Sequence, residues 1–428
     1  MTPRRNETVD VLIVGAGPAG LAAAARLREF GVARVVVVER EPEAGGIPRH
    51  CGHSPFGMRE FRRVLSGPAY ARRLAKTAAG LGADIRLLHS VMDIDRNGVA
   101  TVATPQGVIA IAAFRIILAT GARESTRAGR LFGGDRAAGI MNTAALQSYV
   151  HLYGKRPFRK PVIVGSELVS MSAIATCLTA GIRPAALVES RRFPLARYPF
   201  ALFPRLAMVP VHYGSIVESI NGAGRVSSVS IRSLDGASRD ITCDGVVVSG
   251  RFLPDAALAA LVGIEIDPGS GGPSVDQHGR STHPHIFVAG NLLRAVETAG
   301  WCWSEGRRVA AQVARDLAHP AGTSAPVLQT IRHSPMLKYV VPQRVALDGG
   351  DGQGIHFQMR VNDVFQGVLE IGQGGRLLAA KGIASAPERR IGLGLALDRL
   401  DAGAGEITFT SRARARDGTP VDGQELRS

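Results

Sequence analysis

A chain of 428 residues is long enough for two or three domains, and its 45% hydrophobic content is that of a globular protein that buries a core in each. The net charge of +15 is carried mainly by arginine and suits an anionic ligand, an acidic partner subunit or an anionic surface. The basic residues are dispersed and no recognition helix or aromatic platform stands out, which argues against nucleic acid as a partner.

The first element is the apolar strand Val9–Val14, which runs into Gly15-Ala16-Gly17-Pro18-Ala19-Gly20 and then an Ala-rich helix over Leu21–Phe30. Gly15 suits the tight turn, Gly17 lets the backbone approach a pyrophosphate, and Gly20 lets the helix pack on the strand. A second strand, Arg34–Val38, ends in Glu39, where a carboxylate takes the ribose hydroxyls of an adenine dinucleotide. Arg4 and Arg5 before an apolar run mimic a signal peptide, but Asp10, the glycines and Pro18 mark a nucleotide-binding strand and loop. No uninterrupted apolar segment reaches the roughly 18–20 residues that span a bilayer.

The following loop, through Gly46 to Cys51 and His53, is dense in glycine, proline and titratable groups and is expected to line a ligand. Helices are expected over Met58–Leu65 and Pro68–Leu81. Ile85–Leu88, Ala100–Ala103 and Val108–Ala112 read as strands of a small antiparallel insertion. A buried strand then stops at Ala119-Thr120-Gly121-Ala122.

A second nucleotide-type unit is expected from Lys160–Gly165, through a helix over Val169–Ala180, to a strand ending in Glu189. Its loop reads Gly165-Ser166-Glu167-Leu168-Val169-Ser170, with Glu167 and Ser170 where the second and third glycines belong. A carboxylate there repels a pyrophosphate and blocks backbone approach, so NAD(P) binding is expected to be weak or lost. Glu189 keeps the NADH alternative open. Strands at Val209–His212, Ile216–Ile220, Val226–Ile231 and Cys243–Gly250 complete this unit, and the chain returns to the first through Thr282–Asn291 and a helix over Ser304–Leu317. After a linker at Ala318–Ser324, short alternating strands at His356–Val361, Val368–Ile371, Leu377–Lys381 and Glu406–Ser411 indicate a small β-rich region.

The order of these motifs resembles flavoproteins with two dinucleotide-binding domains, the pyridine nucleotide-disulfide reductase-like superfamily. Thr282–Asn291 is similar to that superfamily's second FAD fingerprint, with Asn291 in place of the usual acid. The loop Gly-Gly-Ile-Pro-Arg-His-Cys-Gly-His-Ser-Pro-Phe-Gly from Gly45 is similar to that of FAD-dependent oxidoreductases accompanying glycerol-3-phosphate or 2-hydroxyacid dehydrogenase-like proteins, with related subunits in opine oxidases and hydrogen cyanide synthase. Cys51, His53, Phe56 and Gly57 match that pattern and His50 departs from it. The resemblance spans residues 8 to about 317.

It implies an α/β chain of two Rossmann-like domains plus a β-rich C-terminal domain, with boundaries at 1–125 and 265–325, 126–264, and 326–428. It also implies FAD as cofactor, held by Gly15, Gly17, Pro18, Ala19, Gly20, Glu39, Arg40, Gly46, Thr120, Gly121, Gly290 and Asn291. His53 is the candidate proton donor or acceptor and Cys51 a candidate flavin neighbour, each balanced by a plain loop-holding or packing role. The four cysteines, Cys51, Cys177, Cys243 and Cys302, offer no C-x-x-C pair and no zinc-ligand spacing, so no redox disulfide and no metal are expected, and a reducing cytoplasm fits. The function that follows is an FAD-dependent subunit of a hetero-oligomeric dehydrogenase acting on a small amine, imino acid or hydroxyacid, with a partner flavoprotein or electron-transfer subunit. An NADH-dependent flavin reductase and a non-catalytic FAD-binding scaffold are the alternatives.

Overall fold

The structure, a computed structural model, describes residues 6–319, 327–347, 354–414 and 420–421. The chain divides into two compact units, one of Met1–Gly46, Arg73–Ala122 and Pro254–Ser428, the other of Ile47–Arg72 and Arg123–Leu253.

In the first unit, β1 (Asn6–Val14) lies parallel between β2 (Val35–Glu39) and the long β6 (Gly107–Leu118), and the helix α1 (Pro18–Glu29) makes the crossover from β1 to β2. Every residue of β2 is buried, the pattern of a parallel strand covered on both faces. After helix α2 (Gly67–Gly80), β3 (Asp84–Leu87) joins β2 in parallel, while on the other side β5 (Val99–Thr104) pairs antiparallel with β6 and β4 (Ser90–Ile94) pairs antiparallel with β5. The Ile85–Leu88 strand therefore belongs to the nucleotide sheet and not to the insertion. Val108–Ala112 is likewise the first half of β6, not a separate strand. Short apolar runs carry no sign of direction, which is why sequence pattern misplaces both. The helix expected over Met58–Leu65 is a single turn, Met58–Phe61, ended by Arg62 in a left-handed conformation (φ 51°).

The second unit repeats the plan. Five parallel strands run in the order β10 (Val211–Tyr213), β9 (Ala186–Glu189), β8 (Pro161–Val164), β14 (Gly245–Val248) and β7 (Ile140–Asn142), with the crossover helix α3 (Leu168–Thr179) after β8. An antiparallel meander, β11 (Ser215–Asn221), β12 (Ser228–Ser233) and β13 (Ser238–Thr242), is inserted before β14.

The chain returns to the first unit at β15 (Ile286–Val288), which pairs with β6 in parallel, and at helix α4 (Ala299–Ala318), which packs along α1. Most of the expected linker at Ala318–Ser324 lies outside the described residues. The remainder forms two sheets. One holds β16 (Leu328–His333), β18 (Arg344–Ala346), β20 (Phe365–Gln373), β21 (Arg376–Ser385) and β23 (Ile407–Arg414), and the other holds β17 (Leu337–Val341), β19 (Ile355–Val361) and β22 (Ile391–Leu395). Phe357, Phe409, Leu369 and Ile371 fill their shared core, while Tyr339 and Val341 pack into the core of the nucleotide sheet.

Candidate functional site: two unequal dinucleotide cradles

In the first unit the turn from β1 into α1 is built around Gly15, which has φ 103° and donates to the Val38 carbonyl at 2.9 Å. A Cβ there would stand 2.5 Å from the Ala119 carbonyl oxygen, so the Ala-Thr-Gly end of β6 closes directly on this turn. A Cβ at Gly20 would lie 1.9 Å from the Gly15 carbonyl oxygen, while one at Gly17 would meet nothing within 4 Å. Close packing below and open space above are what a phosphate-binding turn needs. Pro18 occupies the first turn of α1, which has no acidic residue and no side-chain cap, so its N–H groups are left for an anion.

Around this turn the other sequence-predicted residues converge. Glu39 is buried, its Oε2 accepting from the Ala16 N–H at 2.8 Å and its Oε1 from the Glu41 N–H at 3.0 Å. Each oxygen keeps a further lone pair for a ligand hydroxyl. Gly46 rests on Gly17, where a Cβ would be 2.9 Å from the Gly17 Cα. Gly290 faces Ala19, and its N–H donates to Glu305 at 3.0 Å. Asn291 is engaged within its own loop, its Oδ1 accepting from the Glu297 N–H at 2.7 Å and its Nδ2 donating to the Glu297 carbonyl at 3.2 Å.

Sequence reading missed Asp255, which joins three of the candidates. Its carbonyl accepts from the Thr120 hydroxyl at 2.9 Å, its N–H donates to the Gly121 carbonyl at 2.9 Å, and its carboxylate stands 3.5 Å from Arg40. No motif marks it. The residues of this cradle fit the pyrophosphate and ribose of an adenine dinucleotide.

The second unit has the same backbone plan and a different filling. Gly165 keeps the positive φ of 113° and donates to the Val188 carbonyl, as Gly15 does to Val38. The Glu167 side chain, however, folds back over the turn: its carboxylate oxygens lie 2.6 Å and 2.3 Å from where Cβ atoms of Gly165 and Gly250 would be. Ser170, in the place of the third glycine, is buried, its hydroxyl oxygen 3.3 Å from Glu167 Oε2 and 3.0 Å from the Ser249 hydroxyl. Arg130 donates to the Ser249 carbonyl, and burial lowers its pKa against the opposing pull of Glu167. Glu189 takes the Ser166 hydroxyl and the Arg191 N–H, so the ribose end of this cradle remains in its usual form.

The loop carrying Cys51 and His53 also belongs to the second unit. The Cys51 Sγ lies 3.4 Å from each of two acceptors for its single proton, the Ile47 carbonyl and Gln147 Oε1, and burial, helped by the charge of Glu124, pushes its pKa up to about 12. The sulfur is thus a protonated packing group at neutral pH. Burial holds the His53 imidazole below its ordinary pKa. The same unit supplies a second histidine that sequence reading missed: His151, on a π-helical turn over Ser148–Leu152, lies so close over Gly52 that a Cβ there would be 2.3 Å from its ring. Burial and, secondarily, the charge of His53 lower its pKa as well. All four cysteines are free and buried. Among the described residues no helix is long and apolar enough to cross a membrane.

The sequence pattern of the pyridine nucleotide-disulphide oxidoreductases matches residues 9–315. The alpha chain of the sarcosine oxidase of Rhizobium meliloti (strain 1021), one of that enzyme's subunits, is 27% identical over 73% of this chain and 31% of its own length. An opine oxidase subunit from Agrobacterium tumefaciens (strain Ach5) is 27% identical over 66% of this chain and 61% of its own. The chain thus spans less than two thirds of either relative. Two solved structures share the fold at 20% identity: thioredoxin reductase from T. acidophilum (TM-score 0.61, covering 72% of this chain and 99% of that one) and L-proline dehydrogenase from P. horikoshii (TM-score 0.55, covering 74% and 58%). The chain belongs to the pyridine nucleotide-disulphide oxidoreductase family, whose members bind FAD and often NAD(P) as a second dinucleotide.

Proposed function

We propose that this chain is the FAD-carrying subunit of a hetero-oligomeric dehydrogenase that oxidises a small amine, imino acid or hydroxyacid and does not draw its electrons from NAD(P)H. The observation that carries the reading is the contrast between Gly17, with open space above it, and Glu167, whose carboxylate lies over Gly165 and Gly250. A dinucleotide pyrophosphate entering the second cradle meets a fixed negative charge where the first cradle offers free N–H groups.

In this reading the FAD pyrophosphate lies over Gly17, Pro18 and Ala19 at the start of α1, Glu39 takes the adenosine ribose, and Arg40, Gly46, Thr120 and Gly121 close around it. Gly290 and Asn291 flank the flavin end. FAD, when bound, supplies the two-electron chemistry; the protein binds it, excludes water and holds protons in place. The candidate proton-accepting groups are His53 and His151 of the second unit, whose imidazoles burial holds below their ordinary pKa.

A partner protein is supported in two ways. The relatives are themselves named as subunits. In addition, Arg156, Arg159, Lys160, Arg183 and Arg225 line a cleft of about 1140 Å³ at the amino ends of the second sheet's strands, the end away from the Glu167 loop. Its one carboxylate, Asp244, is engaged by the N–H groups of Arg159 and Lys160 at 2.7 Å each. A strongly basic cleft of this kind complements an acidic protein surface.

The test is anaerobic absorbance of the FAD-loaded protein against a panel of amino acids, opines and hydroxyacids, alone and with the product of the neighbouring gene. Bleaching of the flavin band by a member of the panel supports the dehydrogenase reading, and a flavin that no substrate or partner reduces contradicts it. The ordinary ribose end at Glu189 favours one rival, an NADH-fed flavin reductase, and stoichiometric bleaching by micromolar NADH establishes that instead.

A further inference from the structure

The C-terminal sheets are bound to the segment that follows Gly290 at two neighbouring points, through Arg294 with Gln358 and through Arg360 with Val296 and Glu297. Glu305 accepts from the Gly290 N–H and is gripped by both terminal nitrogens of Arg294, at 2.9 Å and 3.3 Å. Arg294 Nε in turn donates to Gln358 Oε1 on β19 at 2.7 Å. Two residues along the same strand, and so on the same face, stands Arg360. Its Nη1 donates to Glu388 at 2.6 Å, and its Nη2 donates to the Val296 carbonyl and lies 3.5 Å from Glu297 Oε1. Glu297 is the residue whose backbone holds the Asn291 side chain at both ends. Arg390, with its guanidinium 3.3 Å over the Trp301 ring, reaches the other Glu297 oxygen at 3.8 Å.

Arg360 and Glu297 have side chains only 3% and 7% exposed, and Glu297 Oε1 has no hydrogen-bond donor of its own. A carboxylate so placed is tolerated only beside a matching cation, and removing one partner of such a pair leaves an uncompensated buried charge. The charge is therefore there to fix a position. What it fixes is the backbone from Asn291 to Glu297.

We infer that Arg360 is a positioning residue for FAD: through Val296 and Glu297 it sets the loop that presents Gly290 and Asn291, which makes the β-rich C-terminal region a clamp on the cofactor site. The inference rests on the proposed placing of FAD at Gly290 and Asn291. The clamp is built from a strand face, and so acts on the apo protein before any cofactor arrives.

The test compares full-length Arg360→Gln, Glu388→Gln and Asn291→Leu by FAD affinity of the apo protein and by amide exchange of residues 291–298 without FAD. Arg360→Gln is expected to weaken FAD binding by about tenfold and to speed exchange across 291–298. Adding Glu297→Gln, which removes a buried carboxylate that then faces Arg390 without Arg360, is expected to restore part of both. Glu388 is the exposed partner, so Glu388→Gln keeps the fold and is expected to show a smaller shift in the same direction. Unchanged exchange in both Arg360→Gln and Glu388→Gln overturns the clamp. If Asn291→Leu loses FAD affinity and Arg360→Gln does not, the cofactor placing stands and the clamp falls. If FAD affinity is unaffected by Asn291→Leu, the placing itself is wrong and the inference falls with it.

Discussion

Single residues set the two cradles apart. Gly17 and Glu167 occupy equivalent positions after equivalent strands, and one side chain converts an open anion site into one carrying its own carboxylate. That difference was legible in the sequence, because a charge in a phosphate loop has a sign wherever it points. Its direction was not: only the fold brings Gly250 under the Glu167 carboxyl. Cys51 shows the converse. Its motif makes it a candidate flavin neighbour or a packing residue, and burial raises its thiol pKa. With its thiol raised to about 12, Cys51 is expected to alkylate about a thousandfold more slowly at pH 8 than an unperturbed thiol, read by mass spectrometry after iodoacetamide treatment of the folded protein. Reaction at the rate of a small-molecule thiol refutes this. The histidines give a pH dependence. Folded His53 and His151 titrate below their ordinary value, so the unfolded chain binds more protons as pH falls through about 6.5 and stability declines there. Replacing both by glutamine is expected to flatten the fall in urea midpoint between about pH 7 and pH 5.5.

At the level of elements, the strand-turn-helix units were readable because their constraints are local. Buried runs such as Val35–Glu39 have no alternation, and the glycines stand where backbone meets backbone. Gly20→Ala puts a methyl group against the Gly15 carbonyl, and the helix must move off the strand. A loss of about 1–3 kcal/mol in unfolding free energy is expected, together with weakened FAD binding, measured by denaturant titration and flavin fluorescence. Near-native values for both contradict the packing seen at this turn. What the sequence did not reveal is pairing between distant segments. Ile85–Leu88 has the same composition whether it joins β2 in parallel or a hairpin, and nothing about Asp255 announces that it ties Thr120 and Gly121 to Arg40. His151 reaches Gly52 from a π-helical turn roughly a hundred residues away, a spacing that no periodicity in the sequence marks.

On the scale of the whole molecule, two copies of one nucleotide-binding plan have been put to different use. The first keeps an open cradle, and long-range charge pairs from the C-terminal sheets hold the segment beside it. The second keeps the sheet, the turn and the ribose-end acid, but sets the Glu167 carboxylate against Gly165 and Gly250 and carries the loop of Cys51 and His53. A cleft lined by Arg156, Arg159, Lys160, Arg183 and Arg225 lies at the far end of its strands, the surface to which the proposal assigns an acidic partner. Under the proposed function this contrast separates flavin chemistry from nicotinamide supply.

The most direct measurement is an anaerobic titration of the FAD-loaded protein with NADH, following the flavin absorbance, for the natural sequence and for Glu167→Gly. The account predicts no bleaching of the natural protein at micromolar NADH, and an apparent NADH affinity at least about tenfold higher once the carboxylate is removed. Stoichiometric bleaching of the natural protein by NADH contradicts it.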